Sequence, residues 1–380
     1  VPNDTLYAGY QWHLPAISAP AAWDSVTGNS NLTLAIVDTG VQLDHPDLAG
    51  RLLSGYDYAN NDADPTDDNG HGTSTSGAAA ANGNNSLGMA GVNWGCQILP
   101  VKVLSASGSG SYSAISSGIN YSADRGARVI NLSLGGTMSS STLQSAVNYA
   151  WNKGSVIIAA AGNNGTSQTV YPAACSNVVA VSAINISNTI TSWSSYGSFV
   201  DLCAPGDNIG TLWIGSGYAT VSGTSYSSPI VAGVACLALA ANPNLKNNQV
   251  VSLLTGNADD LGAAGFDNYY GNGRVNAARV VAAAPLVDTV SPVTAVTNPL
   301  NGASISGLKS VTVSVASSDN LAVTKAELYI NNKLTASSTS GNFTYTWNTS
   351  TLKAGTYQLQ SKAYDAAGNT ASSTVVSVRR

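Results

Sequence analysis

From residue 30 to about 284, short β-branched apolar runs alternate with helical stretches, and no other feature constrains the fold as strongly. The runs predict strands over Leu32–Val37, Gln97–Leu104, Arg128–Ser133, Ser155–Ala160 and Val178–Ile184. Between them the spacing predicts helices over Ala114–Arg125 and, after a Ser-rich N-cap, over Thr142–Asn152. Such alternation builds βαβ units, hence an α/β, doubly wound and mostly parallel sheet covered by helices on both faces. Sites in these sheets open off the carboxyl ends of the strands. The residues that follow each apolar run are therefore the ones to inspect for chemistry.

Around Ala282–Pro292 the pattern changes. Alternating strand-like segments follow at Val311–Ala316, Lys325–Asn331, Asn342–Trp347 and Tyr357–Ala363, separated by Gly/Asn/Asp turns, with no helix-period stretch. This predicts a domain over 1–284, a linker over 285–292 and a small all-β sandwich over 293–380. Charge divides the chain at the same place. Residues 1–284 hold eight cations and sixteen anions, and residues 285–380 seven cations and four anions, within a net charge of −5. No Lys/Arg run marks a nucleic-acid surface. The most apolar run, Ile230–Ala241, is too short to span a bilayer and predicts a buried core helix. No nucleic acid and no membrane insertion are expected. The first residue is Val1, as expected of a processed chain.

Acid–base candidates are few, because the chain holds three His and a single Glu, Glu327, and His alone titrates near neutrality without perturbation. His13 lies among loop residues and His45 in the turn-like Asp44-His45-Pro46-Asp47, where surface or capping roles suffice. His71 stands between glycines in Asn69-Gly70-His71-Gly72-Thr73, ahead of a small-residue helix predicted over Ser74–Ala81. That position suits either a surface imidazole or one facing a cleft. The run Leu34-Ala35-Ile36-Val37 ends in Asp38-Thr39-Gly40. Asp38 is either a turn carboxylate or a group that fixes an imidazole in one tautomer. Ser222-Gly223-Thr224-Ser225 leads through Tyr226-Ser227-Ser228-Pro229 into the most apolar helix. A Ser there offers its hydroxyl and its own N–H near the positive end of the helix dipole. After another apolar run, Asn163 is either part of an Asn164-Gly165 turn or an amide donor to a developing oxyanion.

Taken in chain order as Asp, His, Ser, these groups follow the subtilisin arrangement of the triad. Through Val37–Gly40, Gly70–Thr73, Ser133–Gly136, Ala161–Asn163 and Gly223–Ser225, residues 1–284 resemble the subtilisin-like serine proteases (subtilases), and among them the thermitase-type branch. The resemblance implies a secreted, monomeric serine endopeptidase acting on protein or peptide substrates, with its own propeptide as a partner outside this sequence. It implies Ser225 as nucleophile, His71 as base, Asp38 as its orienting group, and Asn163 with the Ser225 N–H as oxyanion donors. Ser133, Leu134, Gly135 and Gly136 with Ala160, Ala161 and Gly162 would wall the primary specificity pocket, and Val170 would lie at its floor. Ser107, Gly108 and Gly110 would pair with the substrate backbone as an added strand. An uncharged pocket predicts preference for apolar or aromatic P1 side chains. Three positions depart from the family pattern: Ser74 for a second His, Tyr226 for a Met, and Ile230 for a His. Tyr226 is expected to shape the leaving-group side.

Seven Asp fall within Asp44–Asp68, with Arg51 as the one cation among them, a density that suits Ca²⁺ better than a bare acidic loop. The resemblance implies a structural site from Asp4, Asp47 and Asn85 with backbone oxygens of Asn82, Leu87 and Met89. It implies a second from Asp57 and Asp62 with oxygens near Asp64 and Thr66. A metallohydrolase built on His71 and this Asp cluster is the rival reading. Of four Cys, Cys175 and Cys203 fall near strand ends and are either a disulfide or two thiols; Cys236 is expected to be an inert core thiol, and Cys96 is open. Residues 286–380 resemble bacterial immunoglobulin-like modules through Ala326–Asn331, Tyr345–Trp347, Gly355–Tyr357 and Ala363–Asn369. A spacer, stabiliser or surface-binding role is implied, with Tyr329, Tyr345, Trp347 and Tyr357 as core residues.

Overall fold

The computed structural model describes residues 1–284, 290–320, 322–365 and 367–380; of the predicted linker, residues 285–289 fall outside these, as does residue 366 of the last module motif. The chain divides into two units, Val1–Pro285 and Leu286–Arg380.

The first unit is organised by seven strands: β1 (Thr33–Asp38), β2 (Tyr56–Asp57), β3 (Gln97–Lys102), β4 (Val129–Leu132), β5 (Val156–Ala160), β6 (Val178–Ile184) and β7 (Leu202–Pro205). All pair parallel, in the order β2-β3-β1-β4-β5-β6-β7. The chain runs outward from β1 to one edge and then returns to build the other, so the order reverses at β1 and a crevice opens beside its carboxyl end. Successive side chains face opposite ways. Leu34 and Ile36 enter one core with Ile158 and Val181, while Ala35 and Val37 enter the other with Leu99, Val101 and Ile130.

Helices fill both faces. Before the sheet lie α1 (Tyr7–Tyr10), α2 (His13–Ala16) and α3 (Ala19–Trp23), followed along the chain by α4 (His71–Ala80), α5 (Tyr112–Asp124) and α6 (Ser141–Asn152). The last three are α7 (Thr224–Ala241), α8 (Asn247–Gly256) and α9 (Ala277–Ala283). α5 and α6 are amphipathic, each N-capped by a Ser side chain, and bury one face on the second core. α7 is apolar on all sides and 83% of it is buried, so its length matches a membrane span but its surroundings are protein. It also begins six residues before the apolar run that predicted it, and α4 begins at His71 rather than Ser74. In both, the extra turn is polar and belongs to the site.

In the second unit β10 (Val293–Asn298), β11 (Ser310–Ser318) and β14 (Phe343–Asn348) form one antiparallel sheet. β12 (Val323–Ile330), β13 (Lys333–Ser338), β15 (Thr356–Asp365), β16 (Thr370–Ser372) and β17 (Val376–Arg379) form the other. Val313, Val315, Leu328, Leu359, Trp347 and Val378 are buried between them. Trp347 packs edge-on to Tyr357, whose hydroxyl donates to Lys353 O at 2.9 Å. Tyr329 does not join this core: its hydroxyl and that of Tyr364 donate to Glu327 on the outer face of β12 and β15.

All four cysteines are buried free thiols. The Cys175–Cys203 disulfide is therefore absent. Cys175 packs in the α5/α6 core, whereas Cys203 lies within β7.

Candidate active site

Asp38 ends β1 fully buried, and its Oδ1 accepts from Thr39 N and from His71 Nδ1, both at 2.7 Å. Thr75 Oγ1 reaches Oδ2 at 3.4 Å. His71 is the first residue of α4, and its placement depends on how closely that helix crosses the end of β1. A Cβ on Gly72 would stand 2.0 Å from Gly40 O, so only glycine admits the crossing. Asp67 organises the turn. Its Oδ1 accepts from Thr39 Oγ1 and the N–H groups of Asn69 and Gly70, and its Oδ2 from Thr73 N and Oγ1. Those bonds hold the Asp67 carboxyl below its ordinary pKa despite burial. Burial disfavours charge on His71, but the Asp38 charge and hydrogen bond, with Asp67 beyond, outweigh it and raise the imidazole above its ordinary value.

Ser225 is the second residue of α7, where a backbone N–H has no intrahelical partner. Pro229 lies four residues on and lacks the N–H that would bond Ser225 O. Ser133 Oγ takes that carbonyl instead at 2.7 Å, while accepting from Asn131 Nδ2 at 2.8 Å. The Ser225 hydroxyl itself donates to Ser133 O at 3.4 Å rather than to His71. A long or unmade bond of this kind is common before substrate tightens a site.

Thr224 N and Oγ1 both donate to Asn163 Oδ1 at 2.9 Å, and Thr224 Oγ1 accepts from Gly162 N at 3.1 Å. The amide is thereby fixed with Nδ2 turned to the cleft. A Cβ on Gly223 would lie 3.5 Å from Asn163 Nδ2 and 3.7 Å from Ser225 N, so the two N–H groups border one small space.

Two recesses flank this point and share Ser133, Leu134, Gly135 and Gly136. One, of about 310 Å³, is lined also by Ala160, Gly162, Asn163, Val170 and Ser225, with no ionisable side chain. Val170 closes it: a Cβ on Gly135 would stand 2.6 Å from Val170 Cγ1, and one on Gly162 2.9 Å from Cγ2. Ala161 is fully buried behind the wall. The other recess, of about 430 Å³, runs past His71 and Gly108–Gly110 to an apolar end formed by Leu104, Tyr112 and Ile115. Ser107 lies outside its lining, in the exposed Ser105–Ser109 turn with its hydroxyl 3.0 Å from that of Ser105. Tyr226 lines neither recess. It is buried, its ring centroid 5.9 Å from that of His71, and Ser74 Oγ donates to its hydroxyl at 3.4 Å. Two of the departures from the family pattern thus touch each other beside the imidazole.

The acidic stretch proves heterogeneous. Asp67 caps the His71 turn, and Asp68 pairs at 2.6 Å with Lys102, a buried cation supplied by β3 and not visible in the local sequence. Asp47 is fully buried and accepts from Asn85 Nδ2, Met89 N and Tyr218 OH. Asp4 lies nearby and is also buried; its Oδ2 accepts from Asn84 N, and its Oδ1 has no partner among the described residues. Burial and the neighbouring Asp47 raise the Asp4 pKa. At the other predicted cluster both Asp57 oxygens already accept from Ala59 N, Asn60 N and Asn60 Nδ2. Asp62 and Asp64 take the N–H groups of Asp64 and Thr66, and Thr66 Oγ1 adds a second bond to Asp64. Among the described residues no three His, Cys, Asp or Glu side chains converge as a metal site, and His71 shares no such cluster.

Asp67, Thr224, Leu104, Tyr112 and Ile115 were not singled out as site residues from sequence. An acidic residue four before His71 at a helix start is a recognisable capping signal; the rest carry none until the elements are placed.

Residues 29–273 match the Subtilase family, and residues 292–360 the Bacterial Ig domain. The chain is 48% identical over 280 residues to thermitase of Thermoactinomyces vulgaris, covering 74% of this chain and 99% of thermitase. It is 46% identical over 280 residues to a thermophilic serine proteinase of Bacillus sp. strain AK1, covering 74% and 69%. The halolysin-like extracellular serine protease Nep of Natrialba magadii is 42% identical over 293 residues, covering 75% and 53%. A solved protease structure from Pseudoalteromonas arctica aligns with a TM-score of 0.70 at 32% identity, covering 74% of this chain and 99% of that one. With that match spanning well over half of its length, the chain belongs to the subtilase family of serine endopeptidases and carries a bacterial Ig domain after the peptidase unit.

Proposed function

We propose that the chain is a secreted endopeptidase that cleaves peptide bonds through Ser225, His71 and Asp38 by way of an acyl-enzyme. Ser225 Oγ attacks the scissile carbonyl as His71 takes its proton, and His71 then protonates the leaving amine. Asp38 holds the imidazole with Nδ1–H inward, leaving Nε2 to the cleft. The carbonyl oxygen, as it becomes an oxyanion, is received by Asn163 Nδ2 and Ser225 N. The observation that carries this reading is the pair of N–H donors around Gly223, fixed before any substrate arrives by the Thr224–Asn163 bonds. Donors already oriented need no reorganisation in the transition state.

The uncharged recess over Val170 supports a preference for apolar or aromatic P1 side chains. Leu104, Tyr112 and Ile115 would receive a second apolar side chain further upstream. Gly108–Gly110 and Ser133–Gly136 flank the cleft as loop segments with which an extended peptide would pair its backbone. Secretion accords with the extracellular description of the Natrialba relative.

For calcium, the orphaned Asp4 Oδ1 beside buried Asp47 is a good fit to a hard cation. Asp4, Asp47 and Asn85 with the carbonyls of Asn82, Leu87 and Met89 would hold it, and bound Ca²⁺ would supply positive charge to a buried acidic pair. In the Asp57–Thr66 loop both Asp57 oxygens and the Oδ1 atoms of Asp62 and Asp64 accept from the loop's own groups, so a second ion there would draw on the Oδ2 atoms of Asp62 and Asp64 with oxygens near Thr66.

The test is a fluorophosphonate probe applied with calcium present, followed by peptide mapping. Label on Ser225 is expected, and its absence from folded, calcium-loaded protein would overturn the assignment. Asn163→Ala is expected to lower kcat about 10²–10³-fold with KM little changed.

A further inference from the structure

Asn131 is the one polar residue of β4, and it is fully buried. Its register partners on the neighbouring strands are Ile36 and Ile158, which both enter the core that packs α7. An amide thus stands in an apolar row beneath the helix that carries Ser225. Its Nδ2 donates to Ser133 Oγ at 2.8 Å, whereas its Oδ1 has no partner among the described residues. A buried acceptor left unpaired is destabilising, and each one in a native interior calls for a cause. The proton count around Ser133 supplies one. Ser133 Oγ lies 2.7 Å from Ser225 O, 2.8 Å from Asn131 Nδ2 and 3.0 Å from Ser228 Oγ. A carbonyl only accepts, an amide nitrogen only donates, and a hydroxyl has one proton and two lone pairs. The Ser133 proton therefore goes to Ser225 O, and its lone pairs take Asn131 Nδ2–H and the Ser228 hydroxyl. Turned over, the amide would set its oxygen against a hydroxyl with no proton left to give. The orphaned Oδ1 follows from holding the Ser133 hydroxyl in one direction.

We propose that the Asn131 and Ser133 side chains are positioning residues for the nucleophile, a buried relay standing in for the helix bond that Pro229 cannot make. The proposal rests on the reading of Ser225 as nucleophile. In an unbroken helix the N–H four residues on would fix Ser225 O; here Ser133 Oγ does so, aimed by Asn131. Thr224, bonded through N and Oγ1 to Asn163 Oδ1, fixes the chain entering Ser225. Ser133 fixes the peptide that leaves it. The Ser225 N–H and hydroxyl are then carried by a residue pinned on both sides, before substrate binds. Ser133 O also accepts from Ser225 Oγ at 3.4 Å, so one residue grips the nucleophile at its carbonyl and at its hydroxyl.

Full-length variants are titrated with the fluorophosphonate, so that kcat is counted per labelled Ser225 and misfolded protein drops out. On a chromogenic peptide, Ser133→Ala is expected to lower kcat per site about 10- to 100-fold with KM little changed, as for a small misplacement of a reacting group. Asn131→Leu suits the apolar row and removes the orphaned oxygen. It is expected to lower kcat about fivefold, while the melting temperature of the inhibitor-blocked protein holds or rises. A packing role would instead lower the melting temperature and leave kcat per site unchanged. Pro229→Ala restores an N–H at the fourth residue, and combined with Ser133→Ala it should recover part of the lost kcat. Ser227→Ala removes a buried hydroxyl of the same turn that donates to Ala204 O and Pro205 O, and its kcat should stay near the parent value. Absence of label on Ser225 in the parent would overturn the nucleophile and the relay together. Label on Ser225 with unchanged kcat in Ser133→Ala and Asn131→Leu would overturn the relay alone. So would an equal loss in Ser227→Ala, or no recovery from Pro229→Ala.

Discussion

At the scale of single residues, the proposed chemistry turns on the charge state of His71. A general base must be neutral, so activity rises with pH as the imidazole loses its proton. Asp38 and Asp67 raise that group above its ordinary 6.5, which places the acid limb of kcat/KM above pH 6.5. In Asp38→Asn the largest favourable charge is gone and burial is left to dominate, so the limb is expected to move below pH 6.5. The residual activity there should be lower by about 10⁴-fold in kcat, because the tautomer is no longer fixed. A pH profile of kcat/KM for both proteins checks this, and a limb that stays in place in the variant would mean that another group governs it. Tyr226 belongs to this scale as well. Its ring centroid lies 5.9 Å from that of His71 and its hydroxyl accepts from Ser74, so it limits the room in which the imidazole can turn.

At the scale of elements, the specificity recess is made by what two loops lack. Gly135 and Gly162 face Val170 where a methyl group would collide, and Gly162 also holds a φ of +107°. Gly162→Ala is expected to shrink the recess and reduce kcat/KM for a P1 Phe peptide about tenfold or more, while a P1 Ala peptide loses far less. Equal losses on both would point to a displaced Asn163 rather than a filled pocket. The loop from Asn82 to Met89 poses a different problem, since it closes over Asp4 and Asp47 with one carboxylate oxygen unpaired. A cation that binds only the native state stabilises by mass action, so EGTA is expected to shorten the thermal-inactivation half-life, with recovery on adding Ca²⁺ but not Mg²⁺. Asp4→Asn should lose most of that response, and an unchanged half-life in EGTA would remove calcium from the account.

These elements also show what could be read ahead of the structure. β1, β3, β4, β5 and β6 were legible because a strand buried on both faces is a near-continuous apolar run. The site followed from them, since Asp38 is the last residue of β1 and Asn163 lies just past the end of β5. β2 has two residues, β7 ends in a proline, and the β8 (Ile209–Trp213) and β9 (Gly217–Val221) ribbon lies off the main sheet; none offers a long periodic signal. The polar first turns of α4 and α7 were missed for a related reason, because their helicity is set by capping and by the cleft rather than by an apolar face. Pairing across the fold was least legible of all. Nothing local to Asp68 announces Lys102.

At the scale of the whole molecule, each unit closes its own hydrophobic core, one on both faces of the parallel sheet and the other between two antiparallel sheets. Every residue assigned to the cleft lies between Asp38 and Ser225, inside the first unit. Residues 1–284 alone are therefore expected to fold and to cleave a short chromogenic peptide with kcat/KM within about twofold of the full chain. The units differ in charge, with an excess of eight anions in the first and of three cations in the second. A basic module favours contact with anionic polymers in a salt-dependent way, so a surface-binding role would appear as faster cleavage of protein adsorbed on an acidic polysaccharide by the full chain, erased at high salt. A stabilising role would instead lower the melting temperature of residues 1–284 while leaving adsorbed and soluble substrates equally cleaved. If truncation changes neither, the sandwich acts as a spacer. If it abolishes peptide cleavage by protein that remains folded by circular dichroism, the independence of the two cores does not extend to the site.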